Sequence, residues 1–288
     1  MAMGNDPISN IDPDGEFFFG TLLSPISGIA RGITRVAQGD GIGGFFKGFG
    51  EGVWNGIKID AGKFAWDKNL GVGKNLLAIG SRLTWEAPQQ FVGNLYNAAH
   101  NVTGQVDWVR FKYGATVVSS GIQPGGISLG SYITGRSGAI QADENNWLFQ
   151  HEYGHVLQSR SLGLAYLGRV GLPSLFDNDA YGSHDLHPVE QDANLKAFLY
   201  FNKHIRGFYE SPSDSGQPNA YKPNDGRGWN FTRNPLDPNR TGRRGQYWDY
   251  RNQSHLQTLS SLRVRARWYD YAFPLSSGIY NTIRYNNP

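Results

Sequence analysis

Apolar residues in the first third of the chain recur at helical spacing, interrupted by glycines. Segments 26–36 and 45–59 place Ile, Val, Phe and Trp three and four positions apart. Glycine costs helices backbone entropy unless it serves close packing. The pattern therefore predicts glycine-rich helices packed tightly on each other, in preference to a membrane-active stretch. Residues 71–99 also read as helical, with Pro88 near the start of a second helix, where its missing N–H costs least. The period then changes. Residues 109–113 alternate apolar and polar, as a half-buried strand does, and 115–118 continue in the same manner. A turn at 123–126 precedes a strand expected over 127–133. Another turn at 134–138 leads to a short edge strand over 139–142. Helices are expected at 145–162 and 188–204. Residues 208–246 are rich in Pro, Asn, Ser, Asp and Gly and read as a long loop. Residues 247–288 are expected to pack back on the domain, because Trp248, Trp268, Tyr271, Phe273 and Ile279 call for burial.

This order gives an α+β fold: a small, mainly antiparallel sheet and a helix that carries chemistry, preceded by glycine-rich helices. The expected organisation is a junction at 1–15, a glycine-rich helical segment at 16–105 and a core at 106–206. An irregular loop and an aromatic, basic segment follow at 207–288.

Composition narrows the classes. Aromatics are frequent, so the chain is globular rather than disordered. There is no cysteine, which removes disulfides, cysteine-ligated zinc and thiol nucleophiles together. No run of about 18 apolar residues appears, so no stable membrane span is expected. The N-terminus lacks a Sec-type signal pattern, and Met1-Ala2-Met3 has the look of an expression remnant. The formal charge is +3, but from Arg227 onward there are ten arginines and three aspartates. That basic segment suits an acidic partner or surface, with a solvated arginine-rich face the simpler reading. With no recognised DNA-binding motif or lysine-rich stripe, no nucleic-acid partner is expected.

The chemistry concentrates in His151-Glu152-Tyr153-Gly154-His155, an H-E-x-x-H run within an expected helix. Residues four apart lie one turn apart on one face, so two imidazoles can reach one ion. Glu152 leans to the same side and can act as general base toward a metal-activated water, then return the proton to a leaving amine. Gly154 lets another backbone approach. A catalytic zinc takes three protein ligands and keeps one position open. The metzincin pattern would put glycine at position 158 and histidine at 161, but the chain has Gln158 and Ser161. A carboxylate from the second helix is the alternative. Glu190 begins a run in which Glu190, Ala193, Asn194 and Ala197 share a face. The alanines permit close approach, and Asn194 can hydrogen-bond a ligand histidine. Asp192 and His187 compete with Glu190 for the ligand role. His184 and His187 read as loop or capping groups; as candidates, one polarises a substrate carbonyl or replaces Glu190. His100, His204 and His255 receive no role. Tyr247, Tyr250, Tyr269 and Tyr271 include candidates for an oxyanion donor, with aromatic packing the simpler reading.

The residues Leu148 to His155, followed by Glu190-Gln191-Asp192-Ala193-Asn194, resemble the glutamate-ligand (gluzincin) zincin metallopeptidases. The resemblance implies a zincin-like core across 106–204, with Zn2+ held by His151, His155 and Glu190. It implies Glu152 as the catalytic base and Asn194 behind a ligand, at a place where many members carry aspartate. Separately, the run Asn5-Asp6-Pro7-Ile8-Ser9-Asn10-Ile11-Asp12-Pro13-Asp14-Gly15 is similar to the end of an Rhs/YD-repeat core. That likeness implies a polymorphic-toxin effector, secreted or delivered into a target cell. Its partners would be a protein or peptide substrate, an Rhs shell and a cognate immunity protein. The competing reading is a metal-stabilised binding or structural module of an Rhs protein, which keeps the three ligands and has no turnover.

Overall fold

The computed structural model describes residues 18–178, 184, 187–205 and 264–286. The Rhs-like run at 5–15, the expected loop at 208–246, and Trp248, Tyr247, Tyr250 and His255 lie outside the described residues.

The described chain is a mixed α+β fold with a small four-stranded sheet between two helical layers. It opens with α1 (Phe19–Leu22), α2 (Ser24–Ala37) and α3 (Gly41–Ala61). Glycine is required where α1 and α2 meet α3. A Cβ on Gly56 would lie 2.3 Å from the Gly20 carbonyl oxygen, and one on Gly52 would lie 2.4 Å from that of Ser27. Small residues on α2 (Ser24, Gly28, Gly32) therefore face Gly44, Gly48, Gly52 and Gly56 on α3. The Asp60 carboxylate accepts from the Gly20 backbone N–H at 3.0 Å and from Asn94 Nδ2 at 2.9 Å, tying α1 to the helices behind it. Next come α4 (Val72–Leu83) and α5 (Ala87–Val102), the latter with Pro88 in its first turn as expected. Arg82 is buried at the end of α4 and donates to the carbonyls of Lys63, Ala65 and Gly114. Burial pushes its pKa down to about 10.

The strands are β1 (Val106–Lys112), β2 (Ala115–Ser120), β3 (Gly126–Leu129) and β4 (Tyr132–Arg136), in spatial order β1-β2-β4-β3. The β1–β2 and β3–β4 pairs are antiparallel, and β2 runs parallel to β4. Tyr113 and Gly114 both take positive φ, the two-residue turn that matches strand twist. The strand expected over 127–133 is instead two strands. Gly130, at φ 64°, reverses the chain between them, and β4 runs through the positions expected to turn. Residues 139–142 form no strand; Ile140 instead packs where Gly135 leaves room.

β2 is buried along its whole length because both its faces are covered. Val118 joins Val106, Val109, Tyr132 and Ile59 of α3. Val117 and Ile133 face the other way, into the main core with Phe149, Tyr153 and Phe198. Those last residues belong to α6 (Trp147–Leu162) and α8 (Pro188–His204). Asn146 caps α6, its Oδ1 accepting from the Phe149 N–H at 2.9 Å. Between these helices, a π-helical turn (Leu167–Gly171) leads into the short α7 (Leu172–Leu175).

The C-terminal helix Pro274–Asn286 packs on the π-helical turn through small and polar groups. Gly278 lies against Gly168, and Asn281 bonds Arg169, Asp270 and the Gly168 carbonyl. The segment is docked, but the expected burial of its large side chains is corrected. Trp268 is 75 % exposed and Ile279 63 %, and Phe273 and Tyr271 also face outward. Small residues, rather than the large apolar ones, occupy the contact.

Candidate metal centre

Two helices build the site. On α6, His151 and His155 stand one turn apart with ring centroids 5.0 Å from each other. On α8, Glu190 sits in the first turn, behind Pro188 and the capping residue His187, whose Nδ1 accepts from the Val189 N–H. Gly154 brings the helices together: a Cβ there would lie 2.1 Å from the Ala193 carbonyl oxygen. At that separation Glu190 Oε2 is 3.2 Å from His151 Nε2 and 2.9 Å from His155 Nε2. All three side chains are buried, and their ligating atoms lie within 4.8 Å of one another. Tetrahedral zinc with ligands at about 2.0–2.1 Å would space them about 3.3 Å apart, close to the two short separations.

Hydrogen bonds fix the direction of the imidazoles. Gln158 Nε2 donates to the Val189 carbonyl and to Asp192 Oδ2, each at 2.8 Å. Its Oε1 is therefore the acceptor facing His155 Nδ1, at 2.8 Å, so the Nδ1 proton points away from the centre. His151 Nδ1 lies 3.0 Å from Asn194 Oδ1, the same arrangement. Two Nε2 lone pairs and a carboxylate oxygen thus converge. Three acceptors at one point demand positive charge between them, either protons or a metal. Glu190 is fully buried, and its Oε1 has no hydrogen-bond partner among the described residues. The group can hold a metal ion.

Protons show the same demand. Burial opposes charge on His151, yet its hydrogen bond to Glu190 and the charges of Glu152 and Glu190 outweigh it and raise the pKa to about 9. His155 is raised by Glu190 against the same burial. The two histidines hold the Glu190 carboxyl well below its ordinary range despite complete burial.

Glu152 follows His151 but turns toward β3. Its Oε2 lies 2.8 Å from Ser128 Oγ, and its Oε1 sits over the Gly126 α-carbon, where an added Cβ would be 2.2 Å away. Side-chain-free backbone on the edge strand is thus what admits the carboxylate. A cleft of about 660 Å³ opens over Glu152, His151, His155 and Glu190. β3 borders it on one side, and Tyr166, Leu167 and Leu172 on the other. Tyr166 Oη donates to the Ser128 carbonyl at 3.0 Å. Half-exposed His184 stands at the cleft, its Nδ1 3.2 Å from Asp177 Oδ2 and its Nε2 3.7 Å from Glu190 Oε1.

The structure brings His151, His155, Glu190, Glu152 and Asn194 together. It places the two competitors elsewhere: Asp192 bonds Gln158 and Lys196, and His187 caps α8 and meets Tyr285 edge to face. His100 pairs with Ser120 Oγ, away from the centre. Reasoning from sequence missed Gln158, Ser128 and Gly126. Gln158 carried a signal, since it stands one turn beyond His155. Ser128 and Gly126 carried none, because their role depends on strand register.

Comparison with protein-family models, curated proteins and solved structures returns no match. The geometry of the centre alone carries the functional reading.

Proposed function

We propose that this chain is a zinc-dependent peptidase with a zincin-like core. The likeness of residues 5–15 to the end of an Rhs core, separately, supports its being an effector that hydrolyses peptide bonds of a target-cell protein. The observation that carries the proposal is a single constellation: two lone-pair-bearing imidazoles and a buried carboxylate at one point, with a second carboxylate beside them at an open cleft. His151, His155 and Glu190 would hold the ion; two nitrogens and one oxygen suit zinc with a position left open. When bound, zinc supplies Lewis acidity, which polarises a scissile carbonyl and acidifies water. Asn194 and Gln158 hold the imidazole Nδ1 protons outward and keep both Nε2 atoms available. Glu152 accepts the proton of the attacking water and passes it to the departing amine. Ser128 anchors one Glu152 oxygen, so the other keeps a fixed aim. Helix α8 sets the third ligand at contact distance through Gly154 and Ala193.

The test compares wild type with Glu152→Gln and His151→Ala for zinc content and for cleavage of a quenched peptide library. Glu152→Gln keeps zinc and loses roughly 10²-fold or more in turnover, because an amide cannot accept the proton. His151→Ala loses zinc and activity together. If Glu152→Gln cleaves as wild type does, the base is misassigned. Zinc bound without cleavage by the wild type would favour the metal-stabilised module.

A further inference from the structure

The helical layer of residues 18–105 is polar and small inside and apolar outside. On α2, Ile26, Ile29, Ile33 and Val36 form a stripe opposite the buried serines and glycines. On α3, Ile42, Phe46, Trp54 and Ile57 do the same; these eight side chains are between 37 % and 79 % exposed. Helix α5 buries Gln89, Gln90, Asn94, Asn97 and Asn101 while Val92 and Leu95 face out. Helix α4 buries Asn75, Ser81 and Arg82 while Val72, Leu76 and Leu77 face out. The buried amides bond to groups within the fold: Asn94 to Asp60, Asn101 to the Gly52 carbonyl, Asn55 to the Val106 carbonyl. Close approach through glycine, amides as glue and large apolar groups outward are the packing rules of helices in lipid. A surface helix facing water shows the reverse.

Charge points to the nature of the apolar environment. Within residues 18–105 every acid is buried or paired. Asp60, Asp67 and Glu86 are buried, and Asp40 and Glu51 are bound by Arg35. Lys47 and Lys74 are exposed. The surface is therefore apolar with unopposed positive charge, which suits acyl chains below anionic headgroups. No helix among the described residues is long and apolar enough to cross a membrane, so contact without a span is what the layer supports.

We propose that residues 18–105 are a lipid-binding surface that seats this protein on an anionic bilayer, with the α2 and α3 stripes among the acyl chains. The assignment is independent of the metal centre.

The test is flotation of the full chain with vesicles of phosphatidylcholine alone and of phosphatidylcholine with phosphatidylglycerol, alongside light scattering without lipid. Wild type floats with the anionic vesicles, and its tryptophan emission shifts to the blue by an amount that Trp54→Phe reduces. Ile29→Ser/Ile33→Ser/Phe46→Ser/Trp54→Ser changes exposed positions only. It keeps the wild-type circular dichroism and loses roughly ten-fold or more in vesicle partition. Lys47→Glu/Lys74→Glu weakens binding to the anionic vesicles selectively. His151→Ala floats like wild type, which separates this surface from the proposed peptidase. Wild type that stays off both vesicle types overturns the proposal. So does a folded serine variant that still floats. Self-association that the serine variant abolishes, without vesicle binding, also overturns it and assigns the stripes to a second copy.

Discussion

Gly154→Ala tests whether the distance between α6 and α8 sets the metal centre. The added Cβ would lie 2.1 Å from the Ala193 carbonyl oxygen and 2.5 Å from its carbon, where real Cβ atoms keep at least 3.0 Å. The atoms met are backbone, so no rotamer relieves the clash and the helices must part by about 0.9 Å. Overpacking of this kind costs about 1–3 kcal/mol, which lowers the melting temperature by roughly 2–4 °C per kcal/mol. The larger effect falls on the ligands. His151 and His155 ride on α6 and Glu190 on α8, while zinc tolerates displacements of about 0.2 Å. Zinc affinity should fall at least roughly 10–100-fold, the loss seen when a ligand's outer partner is removed. Melting with and without zinc, and chelator competition for affinity, measure both effects. Ala193→Gly added to the variant should rescue neither, because the clash spares the Ala193 methyl. Wild-type zinc affinity and melting in Gly154→Ala would refute the helix contact as the element that spaces the ligands.

Asn194→Ala removes the acceptor at His151 Nδ1 and should weaken zinc binding roughly 10–100-fold. Asn194→Asp makes that hydrogen bond charge-assisted and should tighten binding; chelator competition reads both. Ser128→Ala should leave zinc content intact and lower kcat roughly ten-fold in the peptide-cleavage assay, since Glu152 Oε2 loses its anchor. In the metal-free protein His151 titrates at about 9, above its ordinary 6.5, so that proton stabilises the fold below pH 6.5 and its contribution is lost as pH rises through 9. Zinc binds the unprotonated imidazole, so loading at pH 7 should release about one proton from this residue and tighten as pH rises toward 9. Calorimetry in buffers of different ionisation enthalpy measures the release, and no buffer dependence would contradict it.

The centre was legible to the degree that it is local. The i, i+4 spacing put His151 and His155 on one face, and an acid on the next strong helix supplied Glu190. Even Asn194 followed from its place one turn beyond Glu190. Residues contributed by the sheet were not legible. Whether Ser128 or Ile127 faces Glu152 depends on register, which β3 inherits from the turn at Gly130. The expected strand over 127–133 passed over that turn, although glycine there offered the signal. Reading 139–142 as a strand failed because so short an apolar stretch fits a buried connection as well as an edge. The helices α2 to α5 of the glycine-rich segment were visible from their spacing.

What spacing could not give was direction. A stripe of Ile26, Ile29, Ile33 and Val36 says that one face of α2 differs from the other, and habit assigns the apolar face to the core. The glycines opposed that assignment, because a helix with Gly28 and Gly32 on its other face has two candidate interfaces. Large side chains gain free energy by leaving water at about 25 cal/mol per Å², whereas glycines gain close backbone contact. In α2 the second interface holds, with α3 supplying glycines at matching intervals. The C-terminal helix repeats the choice, docking through Ser277, Gly278 and Asn281 while Leu275, Ile279 and Ile283 face out. A chain that makes this choice in several helices leaves its apolar surface for something other than its own core. The core beside the candidate metal centre, by contrast, obeys the ordinary rule, with Phe149, Tyr153 and Phe198 packed on the sheet. The fold thus joins a conventional core that positions chemistry to a helical layer whose apolar side is turned outward.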